Sequence, residues 1–201
     1  MDTVLEQGLF VLRNHGSERD GLQNVTQQVR RQWASGDRKG AYALAVHSTQ
    51  DSLYRFLVHL LRDEDEAREV FQDTYIRVFR GLDGFRGEAS LTTWVLRIGR
   101  NLAWNRHRHA KTRRAVETSL EDSEIDPPAA EIARHDDLEV ALTHLPDVQR
   151  EAVLLFYMEG FSVEEVARVT GRPANTVKSD LSRARATLRE HLEGTVIHDP
   201  R

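Results

Sequence analysis

There is no cysteine anywhere in the chain, so neither a disulfide framework nor a thiolate metal site can organise it, and a reducing, intracellular setting is expected. Long apolar runs are missing as well. The longest, AVLLFYM at 152–158, falls far short of the roughly 20 residues that a membrane-spanning helix requires. Asp2 and Glu6 stand where a secretory signal would carry basic residues. These absences exclude membrane insertion and export and point to the cytoplasm. No stretch alternates with period 2 for long enough to make a strand, and the five prolines fall between helix-period segments. A Gly-rich phosphate loop, a nucleophile elbow and a convergent pair of acids are all missing, which argues against an enzyme.

What is present suffices for a folded protein: 201 residues, 39% apolar and 30% charged, enough for one large domain or two small ones. The net charge of -4 hides a strong segregation. Between Arg97 and Arg114 there are seven basic residues and no acid, whereas Ala115–Glu139 holds nine acids against Arg134 alone. Adjoining basic and acidic blocks imply two surfaces with different partners.

The periodicity predicts an all-α protein. Helices are expected over about 41–61 and 64–81, the second with Ala67, Val70, Phe71, Thr74, Val78 and Leu82 on one face. The loop DGFRGEAS leads to a third helix, N-capped by Ser90, with Leu91, Trp94, Val95, Ile98 and Leu102 inward. Pro127, Pro128 and the acids between mark residues 113–133 as a linker joining two small helical domains. Beyond it an amphipathic segment is expected over about 131–143, followed by a helix to Met158 that Gly160 ends. Ser162 and Glu165 form a capping-box pattern for a short helix closed by the Gly171 turn.

A second helix follows with Val177, Leu181, Ala184 and Leu188 inward, and the whole is a helix-turn-helix pattern. Lys178, Ser179, Ser182 and Arg183 are left outward, with Arg172 and Arg185 flanking. Such side chains donate to phosphates or guanine edges. A solvated basic face on an ordinary helical hairpin has the same composition, and the rest of the chain decides between them.

Two stretches, DEDEAREVFQDTYIRVFRGLDGFRGEASLTTWVLRIGRNLAWNRHR and LPDVQREAVLLFYMEGFSVEEVARVTGRPANTVKSDLSRARATL, resemble region 2 and region 4 of the extracytoplasmic-function sigma factors, promoter-specificity subunits of bacterial RNA polymerase. The resemblance spans about residues 24–193. It implies region 2 over 24–112, the acidic linker over 113–133 and region 4 over 134–193. Residues 1–23 form an extension to which the resemblance gives no counterpart, where Leu5, Leu9 and Leu12 could line a short amphipathic helix or belong to a frayed terminus, and 194–201 a tail.

The roles implied are these. Glu66, Glu69 and Asp73 would meet the basic clamp helices of the polymerase largest subunit, although a merely solvated face accounts for them too. Region 4 would meet the flap of the second-largest subunit and place Arg172, Lys178, Ser179, Ser182, Arg183 and Arg185 at the -35 duplex. The loop Phe85, Arg86, Gly87, Glu88, Ala89 and Ser90, with Asn101, would hold a base flipped from the -10 non-template strand. For Phe85, a core position in a tight turn is the competing reading. Arg97, Arg100, Trp104 and Arg108 would follow backbone phosphates. The linker acids would stand in for RNA phosphates in the polymerase's transcript path. Asp180 departs from the family's usual basic residue and would either accept from a cytosine or hold Lys178 or Arg183.

Core polymerase and promoter DNA are the implied partners, with room for an anti-sigma factor, and no cofactor. A metal site at His107 and His109 is disfavoured because both flank Arg108 in the basic block. An autonomous helix-turn-helix regulator is the main rival, and it has no use for FRGEASLTTW.

Overall fold

The computed structural model describes residues 19–117 and 136–196. The Leu5, Leu9 and Leu12 stretch and the acids at 121–131 lie outside the described residues, where every regular element is a helix. No described helix is long and apolar enough to cross a membrane.

The first bundle contains α1 (Arg19–Ala34), α2 (Arg38–Leu61), α3 (Glu64–Gly81) and α4 (Leu91–Glu117), with a 3₁₀ turn over Leu82–Gly84. Asp37 caps α2 by accepting from Gly40 N–H at 2.9 Å, and Asp63 caps α3 by accepting from Glu66 N–H at 2.9 Å. Each satisfies a backbone donor that the helix start leaves without a partner. Ser90 caps α4 as expected, its Oγ accepting from Thr93 N–H at 3.1 Å. Val29, Leu53, Phe56, Leu57, Val70, Val78, Leu91, Val95 and Leu96 form the buried centre. At Gly99 the helices meet so closely that a Cβ would lie 2.6 Å from Leu53 Cδ1, so any side chain there would require Leu53 or its helix to shift.

Two boundaries differ from the sequence expectation. Helix α1 lies before the first helix expected from periodicity, because its inward stripe is narrow: Val25, Val29 and Trp33 sit among Gln and Arg. Trp33 Nε1 donates to Asp83 at 2.9 Å and fastens the helix to the 3₁₀ turn. At the other end, α4 runs through residue 117, so residues 113–117 are helical rather than linker. No Gly or Pro interrupts the chain between residues 100 and 126, and nothing local stops the helix.

The second bundle contains α5 (Asp136–Thr143), α6 (Asp147–Val153), α7 (Val163–Thr170) and α8 (Ala174–Val196). Helix α6 widens into a π-helical segment, Leu154–Met158, where Glu159 N–H reaches Leu154 O at 3.2 Å. Ser162 and Glu165 form the reciprocal capping box, and Gly171, at φ 70, ends α7 in a left-handed turn.

Helix α4 packs on α7, and α2 on the π-helical segment. Two acids of the second bundle hold this contact. Glu151, fully buried, accepts from Arg100 Nε at 2.6 Å and from Trp104 Nε1 at 3.0 Å, both on α4. It also accepts from Arg172 Nη2 at 3.1 Å within its own bundle. Glu159, 4% exposed, pairs with Arg55 of α2 at 3.2 Å.

The two acids should differ in what their loss does. Glu151→Gln removes the buried charge and sets an amide NH2 against a guanidinium in place of one acceptor oxygen, at a cost of about 3–5 kcal/mol to the fold by urea titration. Glu159→Gln touches only the contact between bundles, and with Arg55 partly in solvent its cost is about 1–3 kcal/mol. Its expected signature is a larger radius of gyration by small-angle scattering, with helicity retained. An unchanged radius would show that the Arg55 pair does not hold the bundles together.

Candidate nucleic-acid and polymerase interfaces

Helix α8 buries Val177, Asp180, Leu181, Ala184, Leu188 and Leu192. Lys178, Ser179, Ser182, Arg183 and Arg185 are all exposed on it. The capping box and the Gly171 turn set the angle between α7 and α8, so this row forms the outer face of a helix-turn-helix. Arg172 is placed otherwise. Its side chain is only 18% exposed; it pairs with Glu151 and Asp180 and donates to Val148 O at 3.0 Å. Asp180 is buried and holds Arg172, not Lys178 or Arg183. It lies nearly two turns into α8 on the face that looks back at the turn. Neither Arg172 nor Asp180 is presented to a duplex in this arrangement.

The expected base loop, residues 85–90, lies between the 3₁₀ turn and α4. Gly87 has φ 74, a left-handed conformation that glycine adopts without strain. Arg86 and Glu88 project into solvent, with 4.0 Å between them, a pair of little energetic weight. Ala89 and Ser90 are half-buried. Phe85 stacks on Trp94, ring centroids 4.6 Å apart and planes at 29°. One of its faces is therefore taken up in packing, so both readings of Phe85 retain a part.

On α4 the basic flank is continuous but divided in use. Arg97, Asn101 and Arg108 are exposed, four and seven residues apart and so on one face. Asn101 Oδ1 accepts from Arg100 Nη1 at 3.3 Å. Arg100 and Trp104 lean under the second bundle to Glu151, with the Arg100 guanidinium 5.5 Å from the Trp104 ring centroid. The burial of Glu151 could not be read locally: it sits in QREAV, where a charged residue reads as surface.

Helix α3 presents Glu66, Glu69 and Asp73. Arg106 of α4 bridges the last two, reaching Asp73 Oδ2 at 2.8 Å. The same helix exposes Ile76 (49%), one turn beyond Asp73, and on its next flank Phe79 (45%), whose ring meets Trp33 and Tyr42 edge-on. Sequence reasoning passed over both, although the spacing of Ile76 from Glu69 and Asp73 could have revealed it.

Comparison with known proteins agrees with this division. The Sigma-70 region 2 family matches residues 45–113, and the Sigma-70, region 4 family matches residues 135–188. The RNA polymerase sigma-H factor of Pseudomonas aeruginosa is 32% identical over 187 residues, covering 85% of this chain and 95% of that protein. The ECF RNA polymerase sigma factor EcfG of Rhodopseudomonas palustris is 33% identical, covering 68% of this chain and 77% of its own. Among solved structures, the sigma factor RpoE of Bartonella quintana, in complex with the anti-sigma factor NepR, is 30% identical. It superposes with a TM-score of 0.61 over 78% of this chain and 97% of that one. With both family regions matched in order, and a relative aligned across nearly its full length, the chain belongs to the extracytoplasmic-function sigma factors of the sigma-70 family.

Proposed function

We propose that this chain joins core RNA polymerase and directs promoter-specific initiation, with α8 reading the -35 duplex and the 85–90 loop and Asn101 capturing a flipped -10 base. The observation that carries the reading is the outer row of α8. Lys178, Ser179, Ser182 and Arg183 are exposed together while Val166, Val169, Val177, Leu181, Ala184 and Leu188 are buried, so the row lies opposite the packed face and is suited to phosphates and base edges. The mixed face of α3, with Glu66, Glu69, Asp73 and Ile76, is suited to a basic surface on the polymerase clamp. The second bundle would contact the flap of the second-largest subunit.

In the described arrangement Arg100 and Trp104 are engaged with Glu151. The reading therefore requires the two bundles to part on the polymerase before these side chains meet the -10 strand. Catalysis is assigned to the polymerase, and the site of action to the cytoplasm. The Bartonella quintana relative is held by an anti-sigma factor, and a protein inhibitor of that kind is assigned to this chain as well.

Gel shifts with and without core polymerase test the whole. The free chain, at net charge -4, should bind promoter duplex weakly and with little selectivity, and the assembled holoenzyme specifically. Tight, selective binding by the free chain would favour the autonomous regulator.

Asn101→Ala should change base preference at a single -10 position by about 1–3 kcal/mol and leave -35 binding alone. Equal weakening of every promoter variant would make Asn101 a structural residue.

Replacing Glu117, at the end of α4, and the linker acids Glu121, Asp122, Glu124 and Asp126 with Ser and Asn should weaken assembly with core and change the ratio of abortive to full-length transcripts. Those acids would no longer compete with RNA for a basic channel. Wild-type core affinity and abortive ratio in that variant would reduce them to a solvated tether.

A further inference from the structure

Helix α1 brings to the 85–90 loop a side chain that no feature of the sequence pattern assigned. Arg30 is exposed, and it lies directly across Gly87. A Cβ built on that glycine would stand 2.8 Å from Arg30 Cδ, 3.2 Å from Nη1 and 3.3 Å from Nε. Because Gly87 has no Cβ, its backbone lies bare beside the guanidinium, and a side chain at this position would displace it.

The placement is anchored. Thr26, one turn earlier on α1 and buried, accepts from Leu91 N–H at 2.9 Å, where the loop enters α4. A buried backbone donor held by a side chain from another helix sets the register of α1 against the loop. Arg30 itself makes a long contact with Gln27 Oε1, 3.5 Å, at the limit of a hydrogen bond.

An extruded base needs a flat surface to lie on, either an aromatic ring or a guanidinium plane. Phe85, the loop's own aromatic, already spends one face on Trp94. Trp94 is in turn pressed against Gly81, where a Cβ would come within 3.1 Å of its ring. The pair is wedged, whereas the guanidinium beside Gly87 is at the surface.

We propose that Arg30 is the stacking platform for the base captured at the 85–90 loop. The inference rests on the -10 capture reading and divides the labour within it. Asn101 reads a base edge and so chooses the base; Arg30 supplies a plane, which every base has, and so contributes affinity without choice.

The test uses full-length chain assembled with core polymerase and fork-junction DNA from a promoter that this holoenzyme transcribes. The captured position carries either a base or an abasic site. Arg30→Ala and Arg30→Lys should each weaken binding roughly 5- to 150-fold, whichever base is present, because lysine keeps the charge but has no plane. The abasic site should weaken the wild type by a similar factor and weaken neither variant further. Affinity for core and for -35 duplex should not change.

Three results would overturn the proposal. Arg30→Lys could bind as the wild type does, which would make Arg30 a phosphate contact. Neither variant could differ from the wild type. Or the base and Arg30 losses could simply add. If the wild type is indifferent to an abasic site at every -10 position, the capture reading itself fails, separately from any effect of Arg30. Arg30 is exposed, so both variants should melt with the wild type; if Arg30→Ala melts early, Arg30→Lys against the abasic probe decides alone.

Discussion

A carboxylate sealed from water costs several kcal/mol unless donors surround it, and the arrangement of this protein depends on how Glu151 meets that cost. Arg100 and Trp104 come from one bundle, Arg172 from the other, and all three converge on its two oxygens. Asp180 then shares Arg172, so two acids and two guanidiniums form a nearly neutral cluster. A cluster of this kind stabilises modestly while intact and destabilises strongly when one member is lost. It therefore specifies how the bundles meet more than it adds to stability.

The cluster also sorts the basic residues into those spent on the fold and those left for partners. Arg100, Trp104 and Arg172 are drawn inward. Lys178, Ser179, Ser182 and Arg183 on α8, and Arg97, Asn101 and Arg108 on α4, stay outward. An initiation factor that must engage a large enzyme and two separated DNA elements gains from holding part of its cationic surface against its own acids.

Much of the fold was legible because helices announce themselves locally. The 64–81 helix, the Ser90 cap, the capping box at Ser162 and Glu165 and the Gly171 turn all depend on residues within a few positions of one another, which periodicity and capping rules capture. Helix α1 was not legible, because its apolar stripe is one residue wide and its stability comes from tertiary partners such as Asp83 and Leu91. The end of α4 was misplaced because acidic composition suggested a linker where backbone propensity still favoured helix.

The order of helices after α1, the helix-turn-helix and the outward row on α8 follow from sequence alone, since each is a matter of spacing along one or two adjacent helices. Sequence also set the candidates for the base loop, and the family resemblance gave them meaning. The tertiary structure alone decided which candidates are available. Arg172 and Asp180 find each other across a turn, Arg100 and Trp104 find Glu151 some fifty positions away, and Arg30 reaches Gly87 from a separate helix. A charged side chain carries no local sign of whether it will meet water or a partner distant in sequence, because its burial is set by the packing of other elements.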